Sequence, residues 1–292
     1  MHNPLELKAY AKVNLGLDVI RRREDGYHEV KMIMQTVKLY DELTMQKNDC
    51  GEIRISTNLS YLPVNKKNLV YRAIDLIRQE YKITSGVDVN LTKHIPVAAG
   101  MAGGSTDAAA AFVGMNQLFR LGISQETLMR YGVTLGADIP YCIMRGTALS
   151  EGIGEILTPL PSIPSCWFLI VKPVFSISTR FVYENLHLSS ETVHPDIDGM
   201  VEAIKAGDLS GITSRMGNVL EDVAIRDYPQ IAEIKKTMND SGAMNSLMSG
   251  SGSTVFGIFT DREAAVRASH VFQKDPGIRQ TAVVRPFCKS PL

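Results

Sequence analysis

Cysteine is scarce in this chain: four residues in 292, Cys50, Cys142, Cys166 and Cys288, with no C-x-x-C pair among them. That excludes a disulfide framework and a cysteine-built zinc site, both of which need paired spacings. Cys142 and Cys166 stand in apolar runs and read as small buried hydrophobes. Excess charge is lacking too, since 31 basic residues balance 31 acidic ones. A general nucleic-acid binder or a membrane-surface protein would carry a marked imbalance, so neither partner is expected. No apolar run approaches the roughly 18 residues of a membrane span. The opening MHNPLELKAYAKVNLG lacks the continuous apolar stretch of a signal peptide. The expectation is a reduced, cytoplasmic, soluble protein. There is no internal repeat, no heptad pattern, no Walker Gly-Lys-Ser/Thr and no G-x-G-x-x-G.

What is present is average in bulk, 45% hydrophobic and 21% charged, with enough apolar material for one large domain or two ordinary ones. One stretch stands out, PVAAGMAGGSTDAAAA from Pro96 to Ala111. Its glycines, Gly100, Gly103 and Gly104, permit positive φ and close backbone approach. Ser105, Thr106 and Asp107 are helix-starting residue types, and the alanines that follow are strong helix formers. A helix start presents unpaired N–H groups and partial positive charge, which suits phosphate. Tight helix packing would use the same small residues, so the stretch alone leaves both readings open.

In chain order, Leu5–Ala9 and Val13–Val19 alternate apolar and polar and read as half-buried strands. Lys12 and Asn14 fall on the parity opposite Val13 and Leu15. A turn at Asp25-Gly26 leads into further β-structure to about residue 46, and Ile53–Thr57 is a short strand. Asn68 caps a helix that ends near Tyr81, and Val87, Val89 and Leu91 mark a strand leading into the glycine stretch. A helix after that stretch and another over Ser124–Leu135 follow. Asp138 then lies between Gly136 and Pro140, ahead of an apolar strand-like run. It is either a turn-forming aspartate or a carboxylate held stiffly enough to serve as a general base. Three prolines in Pro159–Ser165 mark a boundary between domains of residues 1–160 and 161–292. Beyond it come a strand at Cys166–Val171, helices over Asp196–Ala206, Leu209–Glu221 and Pro229–Ser241, a strand–Gly/Ser loop–strand unit over Ser246–Thr260, a helix at Asp261–Phe272 and a strand at Thr281–Arg285. The class is α+β.

Three motifs in order, AYAKVNLGLDVIRRREDGYHEV, PVAAGMAGGSTDAA and LMSGSGSTVFGIF, resemble those of the GHMP small-molecule kinases, from about Leu7 to at least Phe259. The resemblance implies two lobes, an N-terminal ATP-binding lobe like ribosomal protein S5 and a C-terminal ferredoxin-like lobe that takes the substrate. It implies ATP and Mg²⁺ as cosubstrate and metal, with the metal ligands left open. The Ala-Lys-x-Asn-Leu strand, the Asp-Gly-Tyr-His turn, LGADIPYC and EGIGEIL are similar to members acting on cytidine diphosphate methylerythritol. The implied reaction is phosphorylation of its 2-hydroxyl, in the non-mevalonate route to isoprenoid precursors.

On that resemblance Asp138 is the base and Lys12 its neighbour at the reacting hydroxyl. The phosphate loop runs over Pro96, Val97, Ala98, Ala99, Gly100, Met101, Ala102, Gly103, Gly104, Ser105 and Thr106. Asn68 and Lys93 lie near the adenine, Asn14 orients the acceptor, Tyr27 and His28 hold the cytosine, and Tyr183 stacks on its other face. Ala102 stands at a usual glycine, Thr106 at a usual serine and Ser253 at a usual proline.

The chemistry suits these residue types. A carboxylate can take the proton of an alcohol as its bond to phosphorus forms, and an ammonium beside it stabilises the charge. Aromatic rings stack on a base while imidazole reads its edge. Taken singly, Lys12, Tyr27 and His28 are ordinary surface residues and Tyr183 an ordinary core tyrosine. Histidines elsewhere, His194 among them, show no ligand spacing. Two other readings stay open: a GHMP kinase with a mevalonate-like or homoserine-like acceptor, and a non-catalytic ligand sensor on the same scaffold.

Overall fold

A computed structural model describes residues 4–288. It opens with a long antiparallel hairpin, β1 (Leu5–Arg22) and β2 (His28–Asn48), turning at Gly26, whose φ is +86°. The two short strands expected in the first 20 residues are one strand. From Ala11 to Val19 every residue of β1 is buried. The polar half of the alternation therefore faces protein rather than water, and Lys12, Asn14 and Asp18 are buried polar residues. Alternation alone cannot distinguish a wet face from a polar interior one.

The chain divides into two compact units that interleave along the sequence. One takes the residues up to Ala11, Leu39–Val97 and Ala102–Met144; the other takes Lys12–Lys38, Ala98–Met101 and the residues from Arg145 onward. Both long strands thus contribute to both units.

In the first unit β3 (Ile53–Thr57) runs parallel to β4 (Gly86–Thr92), and β4 pairs antiparallel with the end of β2, Glu42 opposite Thr92. Four helices accompany this sheet: α1 (Leu69–Glu80), α2 (Gly103–Phe119), α3 (Gln125–Val133) and α4 (Ile139–Met144). Asn68 caps α1 by accepting the Val70 N–H, and Ser124 caps α3 by accepting that of Thr127. The small residues of α2 also serve packing. A Cβ on Gly114 would lie 2.4 Å from Met45 Sδ and 2.7 Å from Leu7 Cδ1, so the helix lies directly on the sheet. The run Ile139–Met144, expected as a strand, is a helix whose six residues are all buried. An apolar run buried on every side has no period by which helix and strand can be told apart.

In the second unit β5 (Thr147–Glu151) pairs with β2 and with β6 (Ile156–Leu160); Pro159 lies within β6 opposite Ala148, and Pro161 and Pro164 follow the hairpin. A separate antiparallel sheet has the order β11 (Ile278–Val284), β7 (Trp167–Pro173), β10 (Val255–Phe259), β9 (Asn245–Met248). Its central strands are almost wholly buried, beneath α9 (Gln230–Asp240) and α10 (Arg262–Phe272). The remaining helices are α5 (Thr179–Glu184), α6 (Ile197–Ala206), α7 (Leu209–Ser214) and α8 (Glu221–Asp227). The single helix expected over Leu209–Glu221 stops at Ser214, because Gly217–Asn218 form a short strand, β8, parallel to β1 at Gly16 and Leu17. Among the described residues no helix is long and apolar enough to cross a membrane.

Candidate active site

The glycine stretch folds as its composition requires. Ala98, Gly100 and Ala102 take φ of 51°, 73° and 56°, left-handed at every second residue. Alternating backbone of this kind turns successive N–H groups toward one side and makes anion-binding concavities. Gly100 is demanded twice over: its φ is positive, and a Cβ there would lie 2.0 Å from the Ser249 carbonyl oxygen. Ser249 Oγ donates to the Gly100 carbonyl at 2.9 Å. Ala102 immediately precedes α2 and makes no side-chain capping bond, unlike Asn68 and Ser124 at α1 and α3. The first turn of α2 therefore has no side chain of its own on its N–H groups, the condition under which a helix start receives an anion.

Lys12 and Asn14 meet this stretch within the second unit. The Lys12 N–H donates to the Met101 carbonyl at 3.2 Å, and its buried ammonium donates to Asn14 Oδ1 at 2.8 Å. Asn14 lies fully buried, its amide 3.1 Å from Met32 Sδ. Gly250 packs so near that a Cβ on it would lie 3.5 Å from Asn14 Oδ1. The Gly/Ser loop is held in turn by buried Asn218, whose amide donates to the carbonyls of Met248 and Gly250 at 2.9 and 2.8 Å.

The three aromatic residues lie at the hairpin turn and on α5. Tyr27 is 61% exposed. His28 and Tyr183 face each other, ring centroids 5.0 Å apart and tilted by 38°. Partial burial, and secondarily the charge of Arg22, hold the His28 imidazole below its ordinary pKa of 6.5, so near neutrality the ring is uncharged and can both donate and accept.

The first unit holds the remaining predicted residues. Thr106 Oγ1 donates to the Tyr10 carbonyl at 2.7 Å and is buried, while Ser105 is half-buried. Asn68 uses both ends of its amide locally, accepting from Val70 and donating to the Pro63 carbonyl. Lys93 is buried with its ammonium between Asp41 and Asp107, 2.6 Å from Asp107 Oδ2. Burial raises Asp107 well above the usual carboxylate range, opposed by the Lys93 charge. Asp138 is half-buried and directly precedes α4, its carbonyl accepting the Cys142 N–H at 3.0 Å.

Several residues of these surroundings escaped sequence reasoning. Asp41, Asp107 and Asn218 form contacts over separations no local pattern reveals. Asp18 and His194, 176 positions apart, pair at 2.6 Å Oδ1 to Nδ1; the only signal was that Asp18 shares strand parity with Lys12 and Asn14.

Residues 68–146 match the GHMP kinases N terminal domain, and residues 200–277 match GHMP kinases C terminal. The chain is 55% identical over 283 residues to a 4-diphosphocytidyl-2-C-methyl-D-erythritol kinase of Lachnoclostridium phytofermentans, covering 97% of each. It is likewise 55% identical to a protein of the same description from Lachnospira eligens, covering 97% of this chain and 98% of that one. Among solved structures, a 4-(cytidine 5'-diphospho)-2C-methyl-D-erythritol kinase superposes with a TM-score of 0.83 at 31% identity, over 97% of this chain and 99% of the other. A homoserine kinase from Cytophaga hutchinsonii shares the fold, with a TM-score of 0.79 at 21% identity over 99% and 96%.

Proposed function

The chain belongs to the GHMP kinases, and from that premise we infer that it transfers the γ-phosphoryl group of ATP to the 2-hydroxyl of 4-diphosphocytidyl-2-C-methyl-D-erythritol, giving the 2-phosphate and ADP. This is a step of the non-mevalonate route to isoprenoid precursors. The observation that carries the reading is the bond from the Lys12 backbone N–H to the Met101 carbonyl, which ties the strand bearing the Lys12 ammonium and the Asn14 amide to the glycine stretch.

In the proposed reaction Asp138 accepts the proton of the 2-hydroxyl as that oxygen bonds to phosphorus. Lys12 stabilises the negative charge on the attacking oxygen, with Asn14 holding the lysine and orienting the acceptor. The bond from the γ-phosphorus to the bridging oxygen breaks, ADP leaves, and the proton remains on Asp138. The segment 96–106 holds the ATP phosphates, Asn68 and Lys93 flank its adenine, and Tyr27, His28 and Tyr183 hold the cytosine. In this assignment residues 1–160 serve the nucleotide and, through Asn14, Tyr27 and His28, much of the acceptor, to which residues 161–292 add Tyr183.

Among the described residues no three His, Cys, Asp or Glu side chains group so as to hold a metal ion. That donor set fits Mg²⁺ bound chiefly by phosphate and water. Ser105 is the candidate hydroxyl ligand, since the Thr106 hydroxyl is committed to Tyr10. Bound there, Mg²⁺ supplies charge neutralisation at the phosphate oxygens.

The test is ADP release by the purified protein with the cytidine compound, mevalonate and homoserine as acceptors. Turnover of the cytidine compound alone is expected. Well-folded protein that turns over only mevalonate or homoserine, or none of the three, refutes the assignment.

A further inference from the structure

Two carboxylates close on one buried lysine in the first unit. Lys93 Nζ donates to Asp41 and to Asp107 Oδ2, and the three side chains are at most 4% exposed. The Lys93 backbone is pinned as well: its N–H donates to Asn58 Oδ1 at 2.8 Å, and the Asn58 amide returns a bond to its carbonyl at 3.1 Å. Asp41 Oδ1 accepts the next two backbone N–H groups, those of His94 at 2.5 Å and Ile95 at 2.7 Å. Asp107 belongs to the beginning of α2. Gly103, the first residue of that helix, lies so near the lysine that a Cβ on it would be 3.3 Å from Lys93 Nζ and 3.2 Å from Ile95 Cγ2.

The cluster thus grips both flanks of the glycine stretch: residues 93–95 before it and, through Asp107, the fifth residue of α2, the N-terminal part of that helix after it. It does so at a cost. One ammonium faces two carboxylates, and Asp107 Oδ1 is buried without a hydrogen-bond partner, a state that core packing alone would replace with apolar side chains. Asp41 needs Lys93 and the two N–H groups; Asp107 adds only the tie to α2.

We propose that Asp107, acting through Lys93 and its anchor Asp41, is a positioning residue for nucleotide binding, fixing the start of α2 against the end of β4 so that the phosphate-binding backbone is preorganised. This rests on the kinase reading above but concerns residues that touch neither the acceptor nor the transferred group. Substituting Asp107 by alanine removes only the tie to the helix, because Lys93 keeps Asp41 as a one-to-one partner. Asparagine at 107 keeps an acceptor for Lys93 in the same place.

The experiment is titration of ADP by calorimetry against wild type, Asp107→Ala and Asp107→Asn, without acceptor, with the melting temperature recorded for each. The expected result is a loss of ADP affinity of about tenfold or more for alanine, following the order of a charge-assisted hydrogen bond, with asparagine recovering to within about threefold. In steady-state assays the alanine variant raises KM for ATP and leaves KM for the acceptor unchanged. Folded Asp107→Ala that binds ADP as wild type does, whatever its melting temperature, overturns the proposal, as does asparagine no better than alanine. Should the alanine variant not fold, Asp41→Asn carries the test, with weaker ADP binding expected and unchanged binding overturning the proposal. Wild type that binds ADP but does not phosphorylate the cytidine compound sinks the acceptor assignment and leaves this inference standing; wild type that does not bind ADP sinks both.

Discussion

Gly100→Ala should damage the protein and Ala102→Gly should help it, although the two residues stand two apart in the same stretch. At 100 the new Cβ would lie 2.0 Å from the Ser249 carbonyl oxygen, where ordinary contact begins at 3.4 Å. The backbones must separate by more than an ångström, which breaks the bond from Ser249 Oγ to the Gly100 carbonyl. That bond is worth about 0.5–1.5 kcal/mol, and an L-residue in the left-handed region costs roughly 1–2 kcal/mol. Together these cost about 1.5–3.5 kcal/mol, offset by about 0.5–1 kcal/mol because the unfolded chain loses the entropy of a glycine. At 102 the native alanine already carries the left-handed strain, with φ of 56°. Glycine would relieve it, offset by about 0.5–1 kcal/mol of added unfolded-state entropy, for a net gain of up to about 1.5 kcal/mol. Denaturant unfolding can be followed at Trp167, the protein's one tryptophan, which lies in the same unit as Gly100 and Ser249. Its ring sits 4.5 Å from the Arg285 guanidinium, an interaction lost on unfolding. Circular dichroism would follow Ala102→Gly. ADP affinity should fall at least tenfold in Gly100→Ala. A Gly100→Ala protein that unfolds within about 0.5 kcal/mol of wild type and binds ADP normally would refute the reasoning, since neither strain nor clash would then be real.

Asp138→Asn should lower kcat by roughly 10²–10⁴-fold while ADP still binds; near-normal turnover would remove Asp138 from the base role. Tyr183→Ala should raise KM for the cytidine acceptor by the equivalent of about 1–3 kcal/mol, and an unchanged KM would remove its stacking role. The His28 prediction concerns pH. Burial and Arg22 hold its folded pKa below 6.5, so as pH falls the unfolded chain takes up this proton first. The contribution of neutral His28 to stability and to cytosine reading is present above 6.5 and lost as pH falls through the lowered folded value. KM for the acceptor should therefore be flat above pH 6.5 and rise only as pH falls through that lowered folded value. Arg22→Gln should move that rise to higher pH, and a profile unaffected by His28→Asn would refute the assignment.

The parts of the site that read clearly from the sequence are those whose chemistry is local. Asn68 announced itself as a cap, the Gly/Ser loop lay between two apolar runs, and the strand before the glycine stretch and the helix after it followed from short-range pattern. Ala102, noted as standing where glycine is usual, proved to have the positive φ that makes glycine usual there. The misreadings share one cause. The helix at Ile139–Met144 and the break after Ser214 depend on what surrounds them: complete burial in the first case, pairing of Gly217–Asn218 with β1 in the second.

By itself the sequence determined the family, the order of most elements and the residue types of the chemistry, because spacing along a chain is enough to specify a helix start, a glycine turn or a set of ordered motifs. Only the tertiary structure decided that the polar face of β1 is interior, so that Lys12 donates to Asn14 and meets Met101. It alone brought Asp41 and Asp107 to Lys93 and the Ser249 carbonyl to Gly100. The physical reason is range. A buried ion pair or a close backbone approach joins residues tens to more than a hundred positions apart, and nothing in either segment's own periodicity records the partner it will meet.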